Sequence, residues 1–298
     1  MRVRTPIMLI TGSLGSGKTT LLRRIVEVMR QPIAVVMNEF GEAAIDSRTI
    51  TGDNVRIVEL AGGCICCSLT GDFEAAVREI IGFARPEFIV VETTGVSDAD
   101  ALVFQVEGNL PEVRLDSVVH IVDASLGARH PHVGPIARTH LQTADIVLIN
   151  KIDLVTTQEV REMEALVRLH NDRALLVKTM GCDVDLSLLF GMATRVGAAP
   201  AIQRSLVHLQ SFTYSTAALL DEGKFLNLMG ALGSSVFRAK GFVRFPGVTH
   251  LFNYVLGRVD LEEYESEVTE LIFIGCRLDE IREAIEGSLR NCEIRDAL

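Results

Sequence analysis

The feature that most constrains this chain is an octapeptide near its N-terminus, Gly12-Ser13-Leu14-Gly15-Ser16-Gly17-Lys18-Thr19, which fits the pattern G-x-x-x-x-G-K-[ST]. It follows the apolar run Met8-Leu9-Ile10-Thr11 and precedes an amphipathic stretch over residues 19–30. A strand that turns through glycines into a helix brings backbone N–H groups and the positive end of the helix onto a phosphate. Gly12, Ser13, Gly15, Ser16, Gly17 and Thr20 are therefore expected to line a phosphate cradle. Lys18 is expected to reach the β- and γ-phosphates and assist the chemistry, and the Thr19 hydroxyl to ligate Mg2+.

Such a loop belongs to a particular kind of fold, and the rest of the first 200 residues agrees with it. Apolar, β-branched runs recur at 7–10, 33–37, 55–60, 88–91, 117–122 and 145–149. Between them, Phe73, Ala76, Val77, Ile80, Ile81 and Ala84 repeat at helical spacing, as do Val160, Met163, Leu166, Val167 and Leu169. Continuous apolar strands alternating with helices indicate a sheet covered on both faces. We expect an α/β fold, a P-loop NTPase domain with a mostly parallel sheet over residues 1–200. Val196-Gly197-Ala198-Ala199-Pro200 reads as a boundary. Beyond it the pattern changes to strands at 206–214 and 236–245, near 250–259 and at 269–275. Helices are expected at 216–232 and around Leu278, Ile281, Ile285 and Leu289. Residues 201–298 are thus expected to form a smaller α+β domain.

Two further segments sit where strand ends would bring them near the phosphate loop. Ile146-Val147-Leu148-Ile149 runs into Asn150-Lys151-Ile152-Asp153. A carboxylate accepts hydrogen bonds only, so Asp153 suits the paired donors of guanine, its ring N1–H and exocyclic amine. Adenine lacks that pair. Lys151 can lay its stem along the base, and Asn150 can tie this loop to the phosphate loop. Phe88-Ile89-Val90-Val91 leads into Glu92-Thr93-Thr94-Gly95. Glu92 suits a water-mediated Mg2+ contact or the positioning of an attacking water, and Gly95 would let backbone approach the γ-phosphate. Asn38-Glu39-Phe40-Gly41-Glu42, with Asp46 beyond, supplies further acids for Mg2+ or water, and spacing does not choose among them.

Three of the six cysteines fall together in Gly62-Gly63-Cys64-Ile65-Cys66-Cys67. In a reducing compartment such a cluster points to a metal or redox site rather than a disulfide framework. Three thiolates favour thiophilic ions such as Zn2+ or Cu+, and they fall short of a closed four-ligand structural site. Glu42, another loop acid or a histidine is the expected fourth ligand. Cys182, Cys276 and Cys292 read as packing residues. The net charge of −10 argues against nucleic acid or an anionic membrane surface as partner. Arg2 and Arg4 precede an apolar stretch that ends at once in Gly12, which leaves no room for a signal sequence. No run approaches the length of a membrane span, and the chain is expected to be cytoplasmic.

Taken in order, the GxxGxGKT loop, Asn38–Glu42 as N-E-F-G-E, the G-C-x-C-C cluster at 63–67, Glu92-Thr93-Thr94-Gly95 and N-K-x-D at 150–153 resemble the CobW-type GTPase metallochaperone family. Arg238-Ala239-Lys240-Gly241 is similar to an R-x-K-G element of that family's C-terminal domain, and Phe273-Ile274-Gly275 to its closing strand. The resemblance implies GTP, Mg2+ and a transition metal, Zn2+ first and Co2+ second. It places the metal at Cys64, Cys66 and Cys67, and it implies GTP-dependent delivery to a metal-dependent client protein; the chain itself is expected to be a monomer or weak homo-oligomer. Met37 stands where some members carry an acid, and the His-rich stretch of many members is missing here, so bulk metal storage is not expected. Two other readings stay open: a GTP-binding regulator whose thiols sense metal or redox state, and a phosphotransferase acting on a small molecule.

Overall fold

A computed structural model of the chain describes residues 3–37, 55–59, 70–93, 99–129, 135–190 and 209–294. These divide into two compact units, one within residues 4–186 and one formed by 187–190 with 209–294.

The first unit alternates strand and helix. In chain order it comprises β1 (Thr5–Gly12), α1 (Lys18–Val28), β2 (Ile33–Met37), β3 (Val55–Glu59), α2 (Thr70–Ala84), β4 (Phe88–Glu92), α3 (Ala99–Asn109) and β5 (Val113–Asp123). Then come α4 (Ala124–Arg129), α5 (Pro135–Thr143), β6 (Ile146–Asn150), α6 (Thr157–His170) and β7 (Leu175–Lys178). The strands pair in the order β3-β2-β4-β1-β5-β6-β7, and every pairing is parallel. This is the α/β architecture read from the alternating pattern. Every residue of β2, β4 and β6 is buried, as strands covered on both faces require. On one face Ile7, Leu9, Val36, Ile89 and Val91 pack against Phe73, Val77, Ile80, Leu102 and Val106 from α2 and α3. Toward the β6 side, Val147 and Ile149 meet Leu141, Ala144, Met163 and Val167. Each such buried side chain contributes roughly 1.5–3 kcal/mol of transfer free energy.

Two features depart from the sequence reading. β5 begins four residues before the expected run, and it carries an extra residue: Ile7 pairs with Leu115 but Met8 with Ser117, so Asp116 bulges out of register. The bulge brings Asp116 within 3.1 Å of Arg114 in a buried ion pair. β7 was not anticipated. It is four residues long at the sheet edge, with alternate residues only half-buried, too short to show a period.

The second unit contains all but the first residue of α7 (Leu186–Phe190), then β8 (Leu209–Thr216), α8 (Glu222–Gly230), β9 (Val236–Phe245), β10 (Val248–Val255), β11 (Arg258–Tyr264), β12 (Thr269–Cys276) and α9 (Leu278–Cys292). Its antiparallel sheet has the order β11-β10-β9-β12-β8. Phe212, Phe252, Leu271 and Phe273 meet Phe225 and Met229 of α8 and Ile285 and Leu289 of α9 in one core. The expected strand near 250–259 is two strands. Leu256 and Gly257, at φ 47° and 95°, form the two-residue turn between β10 and β11. The expected helix over 216–232 starts only at Glu222, because the Asp221 side chain accepts from Lys224 N and caps it there.

Candidate functional site

Because all strands of the first sheet run the same way, their C-terminal ends share one edge, where ligands of α/β sheets bind. β4, β1, β5 and β6 are consecutive neighbours and end in Glu92, Gly12, Asp123 and Asn150.

The loop after β1 keeps its glycines in conformations unfavourable to other residues, with φ 144°, 74° and 118° at Gly12, Gly15 and Gly17. Gly17 has a second constraint. A Cβ there would stand 2.6 Å from Asn150 Nδ2 and 2.8 Å from Cys182 Sγ, so the loop can lie against its neighbours only through a bare backbone. Ser13, Leu14 and Gly15 are exposed, whereas Ser16 and Lys18 are buried. Lys18 Nζ donates to the Gly12 and Ser13 carbonyls at 3.2 and 3.3 Å, across the concave side of the loop. Thr19 is the second residue of α1 and Thr20 is exposed beside it; Thr19 Oγ1 donates to Glu92 Oε1 at 3.2 Å. Ser16 Oγ is buried without a hydrogen-bond partner among the described residues. A lysine curled over a glycine loop, an orphaned hydroxyl within it and a Thr–Glu pair at the helix start fit a phosphate chain with a hard, oxygen-seeking cation.

At the other end of the row, Asn150 Nδ2 donates to Ser16 O at 2.9 Å and joins the loop after β6 to the phosphate loop. Its Oδ1 accepts from Thr179 Oγ1 and from Cys182 N, at 3.1 and 2.9 Å. Lys151 has φ 62°, and its Nζ donates to Asp123 Oδ2 at 2.6 Å. Asp123 also accepts from the backbone and hydroxyl of Ser125. Burial pushes the Asp123 carboxyl upward, but the bonds from Lys151 and Ser125 outweigh it and hold the group below its ordinary range. Asp153 stands in a single 3-10 turn and is exposed, open to a ligand.

Beneath the loop lies a buried histidine. His120 Nδ1 is 2.8 Å from Thr11 Oγ1, and its ring meets His140 edge-on at 5.6 Å. Burial first, then His140 and Lys18, lower it to about 3, so it is neutral.

The structure therefore brings together Gly12, Ser13, Gly15, Ser16, Gly17, Lys18, Thr19, Thr20, Glu92, Asn150, Lys151 and Asp153. Asp46, Gly95, Glu42, Cys64, Cys66 and Cys67 lie outside the described residues. Among the described residues no group of three His, Cys, Asp or Glu side chains could hold a metal. Asp123, His120 and Cys182 are the neighbours of the site that the sequence reading missed. Asp123 carried a usable signal, an acid at a strand end like Glu92; His120 is a lone histidine in an apolar strand, and Cys182, between Gly181 and Asp183, read only as a packing residue.

The family model for the CobW/HypB/UreG nucleotide-binding domain matches residues 6–178, and that for the cobalamin synthesis protein cobW C-terminal domain matches residues 209–293. The chain is 35% identical over 193 residues to the zinc chaperone YjiA of Escherichia coli, an alignment covering 62% of this chain and 60% of that protein. It is 24% identical to the zinc-regulated GTPase metalloprotein activator 1 of Dictyostelium discoideum, over 99% of this chain and 81% of that one. A crystal structure of a zinc-bound triple mutant of the YjiA GTPase shares the fold, with a TM-score of 0.50 at 23% identity, covering 98% of this chain and 100% of that one. Fold and matched domain together define a P-loop nucleotide-binding protein. More particularly, the chain belongs to the CobW/HypB/UreG family, with a cobW C-terminal domain following the nucleotide-binding one.

Proposed function

We propose that this protein binds and hydrolyses GTP and uses the nucleotide state to hold Zn2+ and deliver it to a metal-dependent client protein. The observation that carries the reading is the Asn150 bridge, which fixes a base-side loop containing Lys151 and Asp153 to a phosphate loop containing Lys18. Asp153 accepts from guanine N1–H and the exocyclic amine, and adenine would leave it unpaired. Lys151, held by Asp123, lays its stem on the base. Lys18 leaves the Gly12 and Ser13 carbonyls for β- and γ-phosphate oxygens. Thr19 would hold Mg2+, and Glu92 would reach it through water or position the attacking water; Gly95 and one of the acids Glu39, Glu42 or Asp46 would serve the γ-phosphate side. Mg2+ held by these residues would neutralise charge on the transferring phosphoryl group. Turnover without a partner is expected on the order of 10⁻⁴ to 10⁻² s⁻¹.

Cys64, Cys66 and Cys67, with Glu42, another loop acid or a histidine as fourth ligand, hold the cargo ion, Zn2+ ahead of Co2+ as befits thiolates. Support comes from the zinc chaperone and zinc-regulated GTPase among the relatives. In this reading residues 1–200 are the nucleotide and metal module, and residues 201–298 are the cobW-type module. The protein works in the cytoplasm as a monomer or weak homo-oligomer, without nucleic acid or membrane. Among the described residues no helix is long and apolar enough to cross a membrane.

Anaerobic chelator competition for Zn2+, with Mg2+-GDP and with a non-hydrolysable GTP analogue, tests the coupling. Tighter Zn2+ binding in the GTP-like state, abolished by Cys66→Ala, is expected. Equal affinities in the two states would remove nucleotide-gated delivery and leave the regulator reading in front.

A further inference from the structure

The loop after β7 makes a tight turn over Met180–Asp183, closed by Asp183 N donating to Met180 O at 3.2 Å. Its central residues, Gly181 and Cys182, have φ 57° and 54°. Glycine adopts that left-handed conformation freely; a residue with a Cβ holds it only where its surroundings impose it. The surroundings of Cys182 do so at four points. Its N–H donates to Asn150 Oδ1, and its thiol donates to Gly17 O at 3.3 Å, a carbonyl already bonded to Leu21 N. Arg24 of α1 clasps the turn from outside, donating to Gly181 O at 2.7 Å and to Asp183 Oδ1 at 3.1 Å. Cys182 is wholly buried, and any side chain at Gly17 would collide with its sulfur.

We propose that Cys182 is a positioning residue of the nucleotide site, whose amide and thiol lock Asn150 and the start of α1 into one geometry, so that the base-side and phosphate loops bind GTP as a single unit. The inference rests on the GTP-binding reading above. Cys182 acts through Asn150 and Gly17. The amide N–H fixes which way the Asn150 carboxamide faces, and hence its donation to Ser16 O. The thiol seats the turn against Gly17, the N-cap of the phosphate-binding helix. Burial, opposed by Arg24 and Lys151, raises this thiol to about 12, so it remains a protonated donor and does not compete as a metal ligand.

The test uses the full chain with Cys182→Ala and Cys182→Ser. Fluorescent mant-GDP dissociation and steady-state GTP turnover are measured on each. Cys182→Ala is expected to weaken mant-GDP binding and raise the KM for GTP by about 5-fold, mainly through faster dissociation, with kcat changed less than about twofold. Cys182→Ser, which keeps a donor, is expected to recover most of the affinity. In the wild type, GDP is expected to slow alkylation of Cys182 at least about tenfold while leaving that of Cys292, buried in the second unit, unchanged. Unaltered mant-GDP affinity in Cys182→Ala, alanine and serine variants equally impaired, or alkylation of Cys182 indifferent to GDP would each overturn the proposal. A wild type that fails to bind mant-GDP would instead sink the GTP reading.

Discussion

His120 shows how a residue that touches no ligand position can still set the conditions under which the site exists. It is neutral in the folded protein because burial, reinforced by His140 and Lys18, lowers it to about 3. In the unfolded chain it takes up a proton below about 6.5. Between those values the unfolded state binds more protons, so the stability held above pH 6.5 is lost as pH falls toward 3. The slope is at most about 1.4 kcal/mol per pH unit for this one proton. His120→Asn should therefore lose less stability between pH 7 and pH 4.5 than the wild type, measured as the shift in urea midpoint. An equal loss would show that His120 is not the group titrating. The sequence reading gave His120 no role because a single histidine in an apolar strand has no pattern. Asp123 was passed over for a narrower reason. The apolar run over 117–122 stops one residue short of it, and its partner Lys151 lies 28 positions on.

Elements were legible where they had a period or a stop signal, and not otherwise. α6 announced itself by its apolar stripe, and the structure adds Thr156 with Glu159 three residues later, which close a reciprocal capping box at its start. β10 and β11 fused into one expected strand because Leu256-Gly257 is a weak turn signal; only Gly257 marks it, and leucine is rarely found at positive φ. In the neighbouring strand Gly241 looks like an ordinary weakness, yet β9 depends on it. A Cβ there would overlap the Glu270 carbonyl oxygen of β12 across the ladder. Gly241→Ala should therefore force the β9–β12 pair apart and cost about 1–3 kcal/mol or more. Gly233→Ala, where a Cβ would meet nothing within 4 Å, is the control and should stay within about 0.5 kcal/mol of wild type. Denaturation followed by circular dichroism compares the two. Similar losses would mean the strands can yield.

For the whole molecule, the alternation of continuous strands with helices was enough to infer a parallel sheet, and the change of pattern past residue 200 was enough to infer a second core. The order β3-β2-β4-β1-β5-β6-β7 was not legible, because neighbours in a parallel sheet are chosen by crossover geometry that single elements do not encode. The two units have separate apolar clusters, one around Ile7, Leu9 and Ile89 and one around Phe225, Phe252 and Phe273. Scanning calorimetry should resolve two unfolding transitions. GDP at about 100 times its Kd should raise the nucleotide unit alone, by about 2.7 kcal/mol. A single transition, or an equal shift in both, would refute this division of stability.

The row Glu92, Gly12, Asp123, Asn150 lies on four adjacent strands, with Ile10 opposite Glu92, Gly12 opposite Ile121 and Asp123 opposite Asn150. Neighbouring strands stand about 4.8 Å apart, so across the sheet the row spans about 14 Å, and the register steps it forward by two residues at Gly12 and two more at Asp123. Backbone hydrogen bonds set that interval, which makes the edge of the sheet a gauge block; its tightest graduation is Gly12, where a Cβ would stand 2.5 Å from the Ile121 carbonyl oxygen of β5. A ligand longer or shorter than the gauge must be accommodated by the loops, and change in what this protein accepts should accumulate there while the strands stay fixed.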